Sequence, residues 1–120
     1  MQKELRLRRS QDFSHVYNLG RSWVNDLFVL KALTTDVESI SRFGFAVGKR
    51  TGNAVVRNTI KRRLKEAVRH TPVKSGWDVI FIARARARFA DYDQLKASVT
   101  GLLRRADLLA VVSEVKEGSA

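Results

Sequence analysis

The sequence has no cysteine, one proline and one methionine in 120 residues. Without thiols it can build neither a disulfide framework nor a thiolate metal site, which is compatible with a reducing compartment. No uncharged apolar run approaches the ~18 residues of a membrane-spanning helix. The opening "MQKELRLRRS" carries charge with no apolar block behind it, so it does not read as a secretory signal. These absences lead us to expect a cytoplasmic protein with no membrane partner. Acidic side chains are scarce too: 12 Asp and Glu face 23 Lys and Arg, a formal charge of +11. That excess calls for a polyanion, nucleic acid before an anionic membrane surface. Hydrophobic residues make up 44%, which argues against wholesale disorder, and the length suits one core. A single domain over residues 1–120 is expected.

Residues 1–9 read as a flexible basic arm and residues 114–120 as a frayed tail. Ser10 opens a short helix as its N-cap, with Asp12 in the first turn and Gly20 as the stop. Phe13, Val16 and Tyr17 share one face of it. "RSWVNDLFVLKAL" (21–33) is rich in β-formers and reads as a strand. In a second strand, "RFGFAVGK" (42–49), Phe43, Phe45 and Val47 alternate to one side. A basic helix spans about 54–70, and "TPVKSG" ends it. "WDVIFIARARAR" (77–88) is a further strand. On it Val79, Phe81, Ala83, Ala85 and Ala87 point one way; Ile80, Ile82, Arg84, Arg86 and Arg88 point the other. A last helix begins near "DYDQL", capped by Asp91 or Asp93, with Leu95, Val99, Leu102, Ala106 and Leu109 as its stripe. Helix, strands, helix, strand, helix make an α+β fold, a two-layer α/β sandwich.

The basic helix divides cleanly. With Val56 at 0°, Ile60, Leu64, Ala67 and Val68 fall within roughly 20–120° as a buried stripe. Arg57, Lys61, Lys65, Asn58, Arg69 and Arg62 sweep the flank from about 100° to 240°, and Arg63 sits apart. From Lys49 to Lys65 there are seven basic residues and no acid. A solvated helix face normally mixes signs for i, i+4 pairing, so this one is better suited to phosphates. Lys49, Arg50 and the loop through Asn53 can bind phosphate with side chains and amides at the helix start; Asn53 can equally be only an N-cap. The row Arg84, Arg86, Arg88 is either a second RNA contact or a strand end kept soluble.

Protein-borne catalysis finds no support. "GFAVGKR" fails the phosphate-loop pattern in both its spacing and its last residue. His15 and His70 are far apart with no cysteine partners and read as structural rather than metal ligands. Asp91 and Asp93 are explained by a helix start. Ser10, Asp12 and His15 lie on one short helix and do not assemble a triad.

"RFGFAVGKRTGNAVVRNTIKRRLKEAVR" resembles the signature region of the bacterial ribonuclease P protein subunit. Gly52, Asn53, Ala54, Val55, Arg57, Asn58, Ile60, Lys61 and Arg62 match it; Thr59 stands where the family has the third residue of an Arg-Asn-Arg triplet, so that arginine's contact is either lost or supplied by a neighbour such as Arg63. "RLRRSQDFSHVYNLG" resembles the family's opening helix and "FVLKAL" its first strand, so the similarity spans roughly residues 5 to 110.

The resemblance implies a left-handed β-α-β crossover, against the usual hand. It implies an RNA-binding subunit of an endonuclease, a hydrolase that removes the 5′ leader from precursor tRNA, with chemistry carried by a catalytic RNA and its Mg²⁺ ions. The protein's partners would be that RNA and precursor tRNA, the protein being monomeric outside the holoenzyme. Phe13, Tyr17, Val29, Lys31, Arg57, Lys61 and Lys65 would line the leader cleft. Lys49, Arg50, Asn53, Asn58, Arg62, Arg63 and Arg69 would face the RNA subunit. The protein itself would contribute no catalytic residue and no metal site. Without the resemblance, Phe13 and Tyr17 read as core, and a ribosomal or other structural RNA-binding protein explains the charge equally well.

Overall fold

A computed structural model describes residues 5–36 and 39–110. Helix α1 (Ser10–Leu19) leads into strands β1 (Arg21–Val24), β2 (Phe28–Thr34) and β3 (Arg42–Ala46). Helix α2 (Ala54–Arg69), strand β4 (Trp77–Ala83) and helix α3 (Tyr92–Arg105) follow. The sheet order is β1-β2-β4-β3, with β2 antiparallel to both its neighbours and β3 parallel to β4. A parallel pair needs a crossover, and α2 supplies it.

Alternation along β4 sets the layers. Val79 and Phe81 join Phe28, Leu30 and Ala32 beneath α2 and α3, whose Ile60, Leu64, Leu95, Val99 and Leu102 are buried. Ile80 and Ile82 turn to the other face, where Val16 and Phe13 of α1 meet them with Leu7 and Leu33. The sandwich of sheet and helices is as expected, with α1 alone on the second face. Arg42 and Asp78 tie α1 down: the guanidinium donates two bonds to the Asp78 carboxylate, at 3.0 and 2.8 Å, and reaches Asp12 at 3.5 Å.

Several sequence expectations change here. The stretch 21–33 is a hairpin rather than one strand: the Asn25 side chain accepts from the amides of Leu27 and Phe28, forming a turn that reverses the chain. Ser10 is the first residue of α1; Arg9 holds the cap position and no side chain caps it. Gly20 does end the helix, in extended backbone (φ −79°), and its lack of a side chain lets it sit where a Cβ would meet the Val16 carbonyl oxygen at 2.6 Å. β4 stops at Ala83, and Ala85–Phe89 form a 3-10 helix, so Arg84, Arg86 and Arg88 do not line one strand face. Asp91 is the cap of α3 in a reciprocal capping box with Gln94. That helix ends at Arg105, leaving Leu109 beyond it in a bridge to Val73, while Leu103 and Leu108 are buried. Within the expected basic arm, residues 6–7 lie against the sheet: Arg6 bridges Phe43, the Leu7 amide donates to the Phe43 carbonyl at 2.9 Å, and Leu7 is only 5% exposed. The expected tail, 114–120, is outside the described residues.

Candidate nucleic-acid interface

Cross-strand partners share a face, so the register places Ser22, Lys31, Ile80 and Gly44 in one row on the α1 side. Val24, Val29, Ile82 and Ala46 form the next. α1 covers the first row only in part. Val24 is exposed and Val29, Ile82 and Ala46 are half-buried, leaving an apolar floor open beside the helix. Lys31 stands on this face and donates to Ser22 Oγ at 2.8 Å.

The wall of the cleft is aromatic. The rings of Phe13 and Tyr17 lie one helical turn apart, centroids 6.4 Å apart and tilted by 39°. Phe13 packs over Gly44, while Tyr17 is 39% exposed. Partial burial pushes the Tyr17 phenol above its ordinary pKa, so it stays neutral through the physiological range.

Beyond the β3 edge the wall becomes cationic. Phe13, Gly44 and Phe45 share a hollow of about 280 Å³ with Arg6, Arg8, Lys61 and Lys65, with no acid in its lining. The Lys65 ammonium is pushed below its ordinary pKa, first by burial and then by the like charges of Arg6 and Lys61. A cation crowded in this way is relieved by an anion. Arg57, one turn before Lys61 on the same flank, has a buried Nε without a hydrogen-bond partner. Of the seven residues assigned to the leader cleft, the structure thus gathers Phe13, Lys61 and Lys65 around one hollow. Tyr17, Val29 and Lys31 continue along the α1 face of the sheet, whereas Arg57 stands on α2 one turn before Lys61 and outside the lining of the hollow. Arg6 and Arg8 were missed, although the alternation in "LRLR" from Leu5 is a strand-like signal that could have found them.

The residues assigned to the RNA subunit divide. Lys49 and Arg50 sit exposed on a 3-10 turn (Lys49–Thr51), and Asn58 and Arg62 are exposed on α2. Asn53 caps α2, its side chain accepting from the Val56 amide at 3.0 Å. Arg63 turns inward and donates to the Ala90 carbonyl at 3.1 Å, which explains its position apart from the basic arc. One of its N–H groups is therefore committed, which weakens it as a stand-in for the family's arginine. Thr59 itself only bonds back to the Val55 carbonyl at 2.9 Å. Arg69 lies at the far end of the helix, paired with Glu66 at 3.0 Å; Glu66 also meets His70 at 2.7 Å. Those hydrogen bonds, to Arg69 first and His70 second, hold the Glu66 carboxyl below its ordinary pKa.

Comparison with known proteins bears on family and fold. Residues 1–107 match the family model described as Ribonuclease P. A "Ribonuclease P protein component" from Dehalococcoides mccartyi is 38% identical over 120 residues, covering 100% of this chain and 99% of the relative. One from Roseiflexus castenholzii is 43% identical over 122 residues, covering 98% of each. The Staphylococcus aureus RNase P protein superposes with a TM-score of 0.81 at 32% identity, covering 90% of this chain and 100% of that one. The Thermotoga maritima protein gives 0.74 at 29%, covering 83% and 96%. In sequence over nearly its whole length, and in fold, the chain belongs to the bacterial ribonuclease P protein family.

Proposed function

We propose that this chain is the RNA-binding subunit of ribonuclease P and assists a catalytic RNA in endonucleolytic removal of the 5′ leader from precursor tRNA. Family membership ties it to ribonuclease P and tRNA processing; the finer assignment is reasoned from the site. The observation that carries it is an aromatic wall and an open apolar floor on the α1 face of the sheet, joined through Phe13 to an acid-free cationic hollow at the β3 edge. Single-stranded RNA needs that combination, because unpaired bases stack on rings while phosphates seek cations. Duplex RNA would use the cations but leave the rings idle.

On this reading the leader runs past Tyr17 and Phe13, with Val29 and Lys31 below it and Arg57, Lys61 and Lys65 at its phosphates. The outward residues Lys49, Arg50, Asn58 and Arg62 face the RNA subunit, with Asn53 holding the start of their helix. Arg63 and Arg69 join that surface with one partner each already inside the protein. Among the described residues no three His, Asp or Glu side chains are grouped as an ion site. The Mg²⁺ of the reaction is assigned to RNA phosphates, and the chain's contribution is to hold and orient. The chain acts in the cytoplasm as a monomer until the RNA recruits it. No helix among the described residues is long and apolar enough to cross a membrane.

The test is multiple-turnover cleavage of a precursor tRNA by a bacterial ribonuclease P RNA in moderate Mg²⁺, with and without this protein. Stimulation with a correct mature 5′ end is expected. RNA binding without stimulation would make the chain a structural RNA-binding protein instead, and cleavage by the protein alone would overturn the division of labour.

A further inference from the structure

A second hollow, of about 920 Å³, opens away from α1, between the β1–β2 turn, the 3-10 helix Ala85–Phe89 and α3. Its frame is held by side chains committed to backbone. Arg84 Nη1 donates to the Asn25 carbonyl and Arg105 Nη1 to the Val24 carbonyl, each at 2.7 Å. Asn25 Nδ2 donates to the Ser98 carbonyl at 3.1 Å. The Arg63 bond to Ala90 fixes the end of the 3-10 helix from behind.

Within that frame the chemistry is unspent. Phe89 is 79% exposed on the hollow's rim, with the Arg88 guanidinium 5.2 Å from its ring centroid. Arg86 and Ser98 line the space, Ser98 with its Oγ turned away and buried. Asp26 is the only acid in the lining, against Arg86 and Arg105. A large ring left in water costs free energy unless something covers it. A ring flanked by arginines presents what a nucleotide needs, a stacking face and charge for its phosphate. An acidic peptide would use the arginines but not the ring.

We propose that this hollow binds an unpaired stretch of RNA, with one base stacked on Phe89 and a phosphate at Arg86. The proposal rests on the RNA-binding part of the function above and is independent of the leader cleft. The RNA could be a distal part of the precursor's leader or an unpaired segment of the catalytic RNA.

The test starts with the full ¹⁵N-labelled chain titrated with an adenylate hexamer, following the amides of Leu27, Phe89 and Ser98. Saturable shifts are expected, and Phe89→Ala should weaken that binding about tenfold, as loss of one base stack does. Phe89→Trp should restore it, while the resonances of Tyr17 and Val29 titrate as before. Shifts confined to the α1 face, indifference to Phe89→Ala, or equal shifts with hexaglutamate would each overturn the site. In complexes reconstituted with a ribonuclease P RNA, a Phe89→Ala loss that grows with leader length assigns the leader. A loss in affinity for the catalytic RNA alone assigns that molecule, and no loss in either overturns the proposal. The titration is read on the protein alone, so it stands apart from the outcome of the cleavage assay.

Discussion

The ring of Phe13 lies over Gly44 so closely that a Cβ on the glycine would come within 2.6 Å of Cζ. Gly44→Ala should therefore push the ring off the sheet and out of the cleft wall. We expect a loss of about 1–3 kcal/mol in stability, as for other overpacked sites. Affinity for leader-bearing precursor should fall while affinity for mature tRNA holds. Urea denaturation and paired binding titrations check this, and unchanged leader discrimination would remove Phe13 from the interface.

Tyr17 separates stacking from packing because it is already part-exposed. Tyr17→Ala should change stability little yet weaken precursor binding relative to mature tRNA by about 1–3 kcal/mol, the value of a lost base stack. Equal losses on both RNAs would reduce the ring to scaffold.

Arg57 and Lys61 follow one another along α2 on the flank nearest the hollow. Replacing either with alanine should lower affinity and reduce the slope of log K against log salt by about 1. Titrations at several salt concentrations decide it; a slope that stays put excludes that side chain from the phosphate path.

Lys65 offers a pH signature. Its folded pKa lies below the ordinary 10.5, so the native state disfavours the ammonium relative to the unfolded chain. That penalty is fully present below the folded pKa and fades as pH rises from there towards 10.5, so this group makes stability increase with pH across that window. RNA binding should raise the Lys65 pKa, and Arg6→Gln should raise it as well. Side-chain NMR titration reads both, and no response to Arg6→Gln would leave burial and Lys61 as the causes.

Arg42→Ala should cost about 2–3 kcal/mol, because the Asp78 carboxylate, in a residue only 6% exposed, loses two charge-assisted bonds. The Arg42→Ala/Asp78→Ala pair should cost less than the sum of the singles. Strict additivity in denaturation would show that the two groups are not coupled.

What could be read from the sequence was set by periodicity. The stripe from Val56 to Val68 makes α2 legible, and its cationic flank follows because the helix turns regularly. Alternation likewise fixed both faces of β4 as far as Ala83. It failed at "ARARAR", where small alanines next to arginines fit a 3-10 turn as well as a strand and only packing against α2 and α3 decides. The hairpin at Asn25 was hidden by the β-formers on both sides, although Asn-Asp is turn chemistry. Leu7 looked solvated among arginines because its partner, Phe43, is distant in sequence. The residues proposed for the cleft came from family resemblance rather than from periodicity. The hollow with Arg6 and Arg8 came from neither, since it depends on that same distant contact.

The bridge from Arg6 to Phe43 also changes what the sheet presents to other protein molecules. β3 and β1 are its two edges, and an uncovered edge strand invites another chain to pair with it. β1 is only four residues long, and the outer side of β3 is occupied by residues 6–7 and flanked by charge. The arginines that line the cationic hollow therefore also keep separate copies from zipping together. A chain trimmed to begin at Ser10 would lose two cations of that hollow and its protection against aggregation in one cut.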